Sequence, residues 1–310
     1  MGSIKIKNYL SLVKFSHTIF AMPFALIGFF LGLKNLERIR WVKVYQFSEL
    51  SVFEKSKIFF NHSWWIFLLV ILCMIFARSA AMAFNRWLDA KYDAVNPRTA
   101  IREIPAGIIK PGNALFFVIA NCVLFIICTF FINSLCFYLS PVALFVVLFY
   151  SYTKRFTAFC HLVLGVGLSL APIGAYIAVT GQFAVLPVIF SLVVLLWVSG
   201  FDIIYALQDE EFDKANNLKS IPSVLGKLKA LRVSELLHLL SAGCVIYAGL
   251  YGYFGWLFWL GVLFFCALLI YQHLLVKPSD LSKVNMAFFT TNGIASVVFA
   301  VFVLLDLFIH

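Results

Sequence analysis

Residues 65–93 read WIFLLVILCMIFARSAAMAFNRWLDAKYD. From Trp65 to Phe84 the only charged side chain is Arg78; then Arg86, Asp89, Lys91 and Asp93 crowd into the next turns. An apolar run of roughly 20 residues is what a helix needs to cross a bilayer. A backbone in lipid must satisfy its own hydrogen bonds, and a helix does so within one segment. The stretch therefore reads as a membrane-spanning helix with an acidic tip.

The same pattern recurs along the chain. Spans are expected near 15–33, 63–84, 114–132, 135–150, 159–179, 185–204, 236–254, 256–275 and 286–308. This gives an all-α polytopic membrane protein, a single domain over 1–310 with about nine transmembrane helices bundled around a central cavity. The composition agrees: 63% of the 310 residues are hydrophobic and 12% charged, with mean hydropathy +0.98. A soluble domain carries about 25% charged residues, so the lipid bilayer is the natural solvent. The first apolar run, near Phe15, lacks a cleavage site and reads as a retained span.

The charges are sorted by loop. Lys and Arg exceed Asp and Glu by 24 to 14, which in a soluble protein would suggest nucleic acid. Here they gather in 85–113, 151–158, 205–235 and 276–285, which share one face of a nine-span topology with Lys5, Lys7 and Lys14. By the positive-inside rule that face is cytoplasmic, in an inner or cytoplasmic membrane, with no nucleic-acid partner. Segment 34–62 is also basic and falls outside, but its Lys and Arg are mixed with Glu37, Glu49 and Glu54. Loops 94–113 and 206–235 contain helix formers and apolar residues such as Val224, Leu225 and Leu228, and predict short interfacial helices that cap the cytoplasmic face.

Two acidic helix ends carry the chemistry. Asn85, Asp89 and Asp93 lie at i, i+4 and i+8, one helix face, about 6 Å apart along the axis at ~1.5 Å per residue. Asp202, Asp209 and Asp213 lie at i, i+7 and i+11, again one face, beside Tyr205. Like charges stacked i, i+4 repel, so a cation is expected between them. Carboxylate oxygens suit Mg2+, which takes one or two carboxylates and completes its shell with a substrate's phosphates. Two such sets facing one another would hold Mg2+ around a diphosphate, the arrangement that ionises an allylic diphosphate. Arg78, inside a span and seven residues before Asn85, is a functional candidate because an intramembrane charge is costly. Lys154 and Arg155, with Tyr150 a turn before them, offer further phosphate contacts.

Other chemistries find little support. The seven cysteines include no C-x-x-C pair and nearly all lie in apolar runs, as small buried residues do. No zinc spacing, P-loop or dinucleotide fingerprint is present. His17 and His161 are lone histidines near span ends, read as packed or interfacial. An ion-coupled transporter also places acidic groups near helix ends, but closer to the bilayer midplane and on Gly- or Pro-broken spans.

The motifs taken together resemble the UbiA superfamily of intramembrane aromatic prenyltransferases, most closely its 4-hydroxybenzoate polyprenyltransferase branch. Asn85, Asp89 and Asp93 are similar to that family's N-D-x-x-D-x-x-x-D, with Arg86 in place of its second acid. Residues 96–107, NPRTAIREIPAG, resemble R-T-x-x-R-P-[IL]-P-x-G, with Glu103 and Ile104 departing from it. Residues 150–157, YSYTKRFT, resemble Y-x-x-x-K-R-[FY]-T. Asp202-x-x-Tyr205-Ala206-x-x-Asp209-x-x-x-Asp213, with Lys219-Ser220, resembles the second acidic motif and its K-S.

The resemblance implies transfer of a polyprenyl group from a polyprenyl diphosphate to an aromatic acid acceptor of the 4-hydroxybenzoate type. In it Asn85, Asp89, Asp93, Asp209 and Asp213 hold Mg2+. Arg86, Arg102, Tyr150, Lys154, Arg155 and Lys219 contact the diphosphate. Asp202 or Asp209 acts on the acceptor hydroxyl, and Arg78 holds the acceptor carboxylate. The segment around His17, HTIFAMP, is similar to relatives that prenylate 1,4-dihydroxy-6-naphthoate, which keeps that acceptor as an alternative. The 35 Phe residues suit a tunnel that steadies a carbocation, and the interfacial helices a lid that excludes water.

Overall fold

The structure is a computed structural model that describes residues 8–13, 21–37 and 49–310. Among these residues every named element is a helix. α1 is Met22–Lys34, α2 Val52–Leu88, α3 Ala90–Val95, α4 Pro111–Ile132, α5 Ser134–Thr153 and α6 Cys160–Thr180. α7 is Val185–Ala206, α8 Glu210–Ala215, α9 Ile221–Leu225, α10 Lys227–Tyr251, α11 Trp256–Leu275 and α12 Asn292–Ile309. A 3₁₀ turn, Leu207–Asp209, joins α7 to α8, and a π-helix, Met286–Thr291, leads into α12.

Eight of these helical stretches are long and apolar enough to cross a membrane; α1 is apolar but only 13 residues long. The expected first span began at 15, and 15–20 and His17 lie outside the described residues. Other boundaries moved for visible reasons. α2 starts at Val52, eleven residues before the expected span, because Ser51 and Glu54 form a reciprocal capping box. It bends at Ser63, whose φ of −143° and ψ of 25° are not helical. α10 begins at Lys227 rather than 236, its charged first turns continuing the apolar helix without a break.

The expected interfacial helices form in part. Segment 206–235 contributes α8 and α9. Segment 94–113 does not form the expected helix; past α3 it is a chain of turns to residue 109. Pro97 and Pro105 each remove a helical donor and disfavour a helical residue before them, and Gly107 takes a φ of +73°.

Helix packing rests on small residues, as expected where lipid supplies no hydrophobic drive between helices. A Cβ on Gly28 would lie 2.0 Å from the Pro172 carbonyl oxygen, so α1 and α6 touch backbone to backbone. A Cβ on Gly200 would strike the His238 ring at 2.3 Å, which brings α10 onto α7. The largest core cluster joins Phe24 of α1 to Trp197 and Phe190 of α7, Phe258 and Phe265 of α11 and Phe299 of α12. α7 is thereby the central post, and its end carries the second acidic set.

Candidate active site

The last turn of α2 delivers the first acidic set. Asp89 ends α2 and begins α3; its N–H donates to the Asn85 carbonyl (2.9 Å), and the Asp93 N–H donates to the Asp89 carbonyl (2.8 Å). The helical spacing thus survives the joint, and Asn85, Asp89 and Asp93 line one cavity. On the far wall α7 presents Asp202 and Tyr205, the 3₁₀ turn presents Asp209, and α8 presents Asp213. The cavity holds about 290 Å³.

Every one of these carboxylates has a cationic or imidazole partner. Arg155 Nη2 lies 2.8 Å from Asp89 Oδ1 and Arg102 Nη1 2.7 Å from Asp93 Oδ1. Arg98 grips both oxygens of Asp209, at 2.6 and 3.1 Å, and donates to the Tyr205 hydroxyl at 3.0 Å. Lys154 Nζ is 2.7 Å from Asp213 Oδ1, while the Ser220 hydroxyl donates to Oδ2 at 2.8 Å. His161 Nδ1 is 2.6 Å from Asp202 Oδ2, and the Ile221 N–H donates to His161 Nε2. Since Nε2 accepts, Nδ1 carries the hydrogen and donates to Asp202. Burial pushes the Asp89 carboxyl above its ordinary range, although Arg155 beside it pulls the other way. Burial also works to depress the Lys154 ammonium, but Asp213 outweighs it and the net direction is upward.

Arg86 lines the cavity, buried, with its Nη1 3.0 Å from Glu103 Oε2. One of the predicted diphosphate ligands is placed elsewhere. Lys219 is exposed and does not line the cavity; its backbone N–H donates to the Lys154 carbonyl instead. Two residues outside the predicted set are central. Arg98 stands four residues before Arg102 in the same motif, but the segment is a run of turns rather than a helix, and the two side chains reach different carboxylates, Asp209 and Asp93. His161, read as a packing residue, is buried but hydrogen-bonded to Asp202, and a contact across 41 residues leaves no local signal.

A second cavity of about 360 Å³ runs deeper between α2, α4, α5 and α6. Its wall is apolar, with Val70, Met74, Phe125, Val146 and Ala171 among its residues. Both cavities are lined by Arg78, Met82, Tyr150, Leu164 and Leu168, so they meet there. At that junction Arg78 Nε is buried with no hydrogen-bond partner among the described residues. A cation with a buried, unsatisfied N–H is costly to keep unless something arrives to pair with it.

The donor chemistry fits Mg2+. Among the described residues no three His, Cys, Asp or Glu side chains form a ready metal cage. The carboxylates come instead as two pairs on opposite walls, which suits an ion that draws one or two carboxylates from the protein and its remaining ligands from phosphate and water.

Comparison with known proteins gives this geometry a family. Residues 60–294 match the UbiA prenyltransferase family. A 4-hydroxybenzoate octaprenyltransferase from Francisella tularensis subsp. mediasiatica is 30% identical over 231 residues, covering 74% of this chain and 81% of that one. The apo structure of a UbiA homologue from Aeropyrum pernix K1 superposes with a TM-score of 0.78 at 26% identity, covering 94% of this chain and 98% of that one. A UbiA homologue from Archaeoglobus fulgidus bound to GPP and Mg2+ shares the fold at TM-score 0.66 and 20% identity, over 97% and 99% of the two chains. With a family match over most of its length and a carboxylate-lined cavity opening into an apolar one, the chain belongs to the UbiA prenyltransferase family and is an integral, multi-pass membrane prenyltransferase.

Proposed function

We propose that the chain transfers a polyprenyl group from a polyprenyl diphosphate to an aromatic hydroxy acid of the 4-hydroxybenzoate type, with Mg2+, as a step of quinone biosynthesis. The observation that carries this reading is Arg78, a half-buried guanidinium whose Nε has no hydrogen-bond partner among the described residues, at the meeting point of a charged cavity and an apolar one. The charged side suits a diphosphate, the apolar side its hydrocarbon chain, and Arg78 a carboxylate on the acceptor, which guanidinium binds bidentately. The name of the Francisella relative points to the same acceptor, and the ligands of the Archaeoglobus homologue to the same donor class and metal.

In this reading Asp89, Asp93, Asp209 and Asp213, with Asn85, would hold the metal. Bound Mg2+ would neutralise charge on the departing diphosphate. Arg98, Arg102, Lys154 and Arg155 now rest on those same carboxylates. They would be free to turn to a diphosphate's oxygens wherever the carboxylates hold metal, so that charges would exchange partners and none would be left bare in a buried site. The allylic C–O bond breaks with its electron pair leaving on the diphosphate. Asp202, held by the His161 N–H, accepts the acceptor hydroxyl's hydrogen and enriches the ring carbon ortho to it. That carbon forms the new C–C bond and then loses its proton to a neighbouring base. The charged face is assigned to the cytoplasmic side of the inner membrane from the loop charges.

The test uses purified protein in nanodiscs with octaprenyl diphosphate and Mg2+, offered 4-hydroxybenzoate and 1,4-dihydroxy-6-naphthoate in parallel. The expected result is a prenylated 4-hydroxybenzoate that disappears in Asp209→Asn. Product from the naphthoate alone would move the enzyme to the other quinone route; product from neither, with the diphosphate still bound, would overturn the acceptor class.

A further inference from the structure

The π-helix Met286–Thr291 is a feature that neither the acidic motifs nor the ion pairs explain. Such turns are rare, are strained relative to an α-helix and cluster at functional sites. Something must hold this one, and the holder is Asn292. Its side chain is fully buried. Its Oδ1 accepts from Trp197 Nε1 of α7 at 3.0 Å and from Gln272 Nε2 of α11 at 2.6 Å. Its Nδ2 donates back into the π turn, to the Phe288 carbonyl at 2.9 Å and the Ala287 carbonyl at 3.3 Å. The amide has no alternative orientation. Indole N–H can only donate, so Oδ1 must face Trp197 and Nδ2 must face the two carbonyls.

The turn so clamped sets two consecutive aromatic rings. Phe288 and Phe289 both line the carboxylate cavity, and neither lines the apolar one. Phe288 lies 4.2 Å from the Tyr205 ring, centroid to centroid, and 5.2 Å edge-on from Phe201. Tyr205 in turn accepts from Arg98, which holds Asp209. An aromatic wall therefore stands in the polar half of the site, on the side of Asp202 and Tyr205, where a hydrocarbon tail has no reason to lie but a flat ring does.

We propose that Asn292 is a positioning residue: by closing the π turn it fixes Phe288 as the wall against which the aromatic acceptor stacks beside Asp202. This rests on the prenyl-transfer reading above and adds the surface that receives the acceptor. Asn292 touches no substrate itself. A loosened wall leaves diphosphate binding intact but lets the acceptor ring sit badly, so that water captures the allylic cation in its place.

The experiment compares wild type, Asn292→Leu, Phe288→Leu and the double variant in nanodiscs with octaprenyl diphosphate, Mg2+ and 4-hydroxybenzoate. It reads KM for the acceptor, diphosphate affinity, and the share of diphosphate consumed that ends as prenyl alcohol rather than prenylated ring. In Asn292→Leu the acceptor KM rises about 10-fold or more, in keeping with the sensitivity of reacting groups to sub-ångström placement. The alcohol share rises with it and diphosphate affinity holds. Because Asn292 acts through Phe288, the double variant is no worse than Phe288→Leu alone. Losses that multiply in the double variant, or an alcohol share equal to wild type, overturn the proposal. Amide hydrogen exchange supplies a readout independent of turnover: Asn292→Leu speeds exchange within 286–292 and not elsewhere. Unchanged exchange there, or loosening of the whole bundle, also overturns it. Should wild type prenylate no aromatic acceptor, the functional reading fails, and the exchange measurement still decides whether Asn292 holds the turn.

Discussion

Arg98 and Asp209 form a two-pronged ion pair across 111 residues, Nη2 to Oδ2 at 2.6 Å and Nε to Oδ1 at 3.1 Å. The same guanidinium lies over the Tyr205 ring, its Cζ 5.4 Å from the centroid. One side chain from the turn-rich segment after α3 thus ties the two acidic helix ends together. Bidentate pairing fixes geometry as well as charge. Burial works against the Arg98 cation, yet Asp209 and Tyr205 more than compensate and its pKa moves up.

Replacing Arg98 by Lys keeps the charge but loses the fork. Arg98→Lys is expected to lower kcat by about 10- to 100-fold, and Arg98→Ala by about 100- to 1,000-fold, the range seen when a preorganised group facing developing charge is removed. Steady-state kinetics with octaprenyl diphosphate check this. An Arg98→Ala enzyme with wild-type kcat would leave the pair a structural tie between loops and nothing more.

The two carboxylate pairs predict metal dependence. Chelation with EDTA is expected to abolish prenyl transfer and excess Mg2+ to restore it. Asp89→Asn and Asp213→Asn are each expected to raise the Mg2+ concentration needed for half-maximal rate, because an ion that takes only one or two carboxylates from the protein loses much of its protein shell with each. Titration of activity against Mg2+ measures the shift. A variant that loses rate without any change in Mg2+ requirement would place that carboxylate outside the metal shell.

Much of this was legible in the chain. The spans follow from apolar runs of the right length, and the Asn85, Asp89 and Asp93 set from a spacing of four that the structure keeps across the α2–α3 joint. What hid was of two kinds. Contacts between distant helices, such as His161 with Asp202, depend on how α6 and α7 pack and leave no periodic trace. Departures from regular helix hid as well. The π turn reads MAFFTT, an unremarkable apolar entry to a span, and its cause is a tertiary hydrogen-bond network around Asn292. Arg86 shows a partner the motif did not display: it lines the cavity as its place in the acidic motif suggests, and Glu103 seventeen residues on pairs with it.

Backbone contact between α1 and α6 predicts a sharp contrast between two glycines. A Cβ at Gly28 would fall 2.0 Å from a backbone oxygen, whereas one at Gly174 would meet no heavy atom within 4 Å. Gly28→Ala is expected to destabilise the protein by about 1–3 kcal/mol, the usual cost of overpacking a filled interface. Gly174→Ala is expected to be neutral or stabilising by up to ~1 kcal/mol through helix propensity. Thermal midpoints in one detergent compare the two directly, and equal shifts would mean that α1 has room to move away from Pro172.

Arg78 predicts opposite effects on stability and on acceptor binding. Its Nε is buried and has no hydrogen-bond partner among the described residues. Removing a half-buried cation whose Nε is unsatisfied relieves part of a desolvation cost, so Arg78→Met is expected to raise the thermal midpoint of the substrate-free protein. The same change removes the group proposed to hold the acceptor carboxylate. Hydrogen bonds to charged groups contribute about 1.5–3 kcal/mol, so KM for 4-hydroxybenzoate is expected to rise roughly 10- to 100-fold. Diphosphate affinity should change little, since the carboxylates and their cations are untouched. A phenol without the carboxylate, such as 4-methylphenol, separates this from general damage to the cavity. It has nothing to lose at Arg78, so its KM is expected to be the same in both proteins. If Arg78→Met weakens both acceptors alike, the guanidinium shapes the cavity junction but does not read the acid.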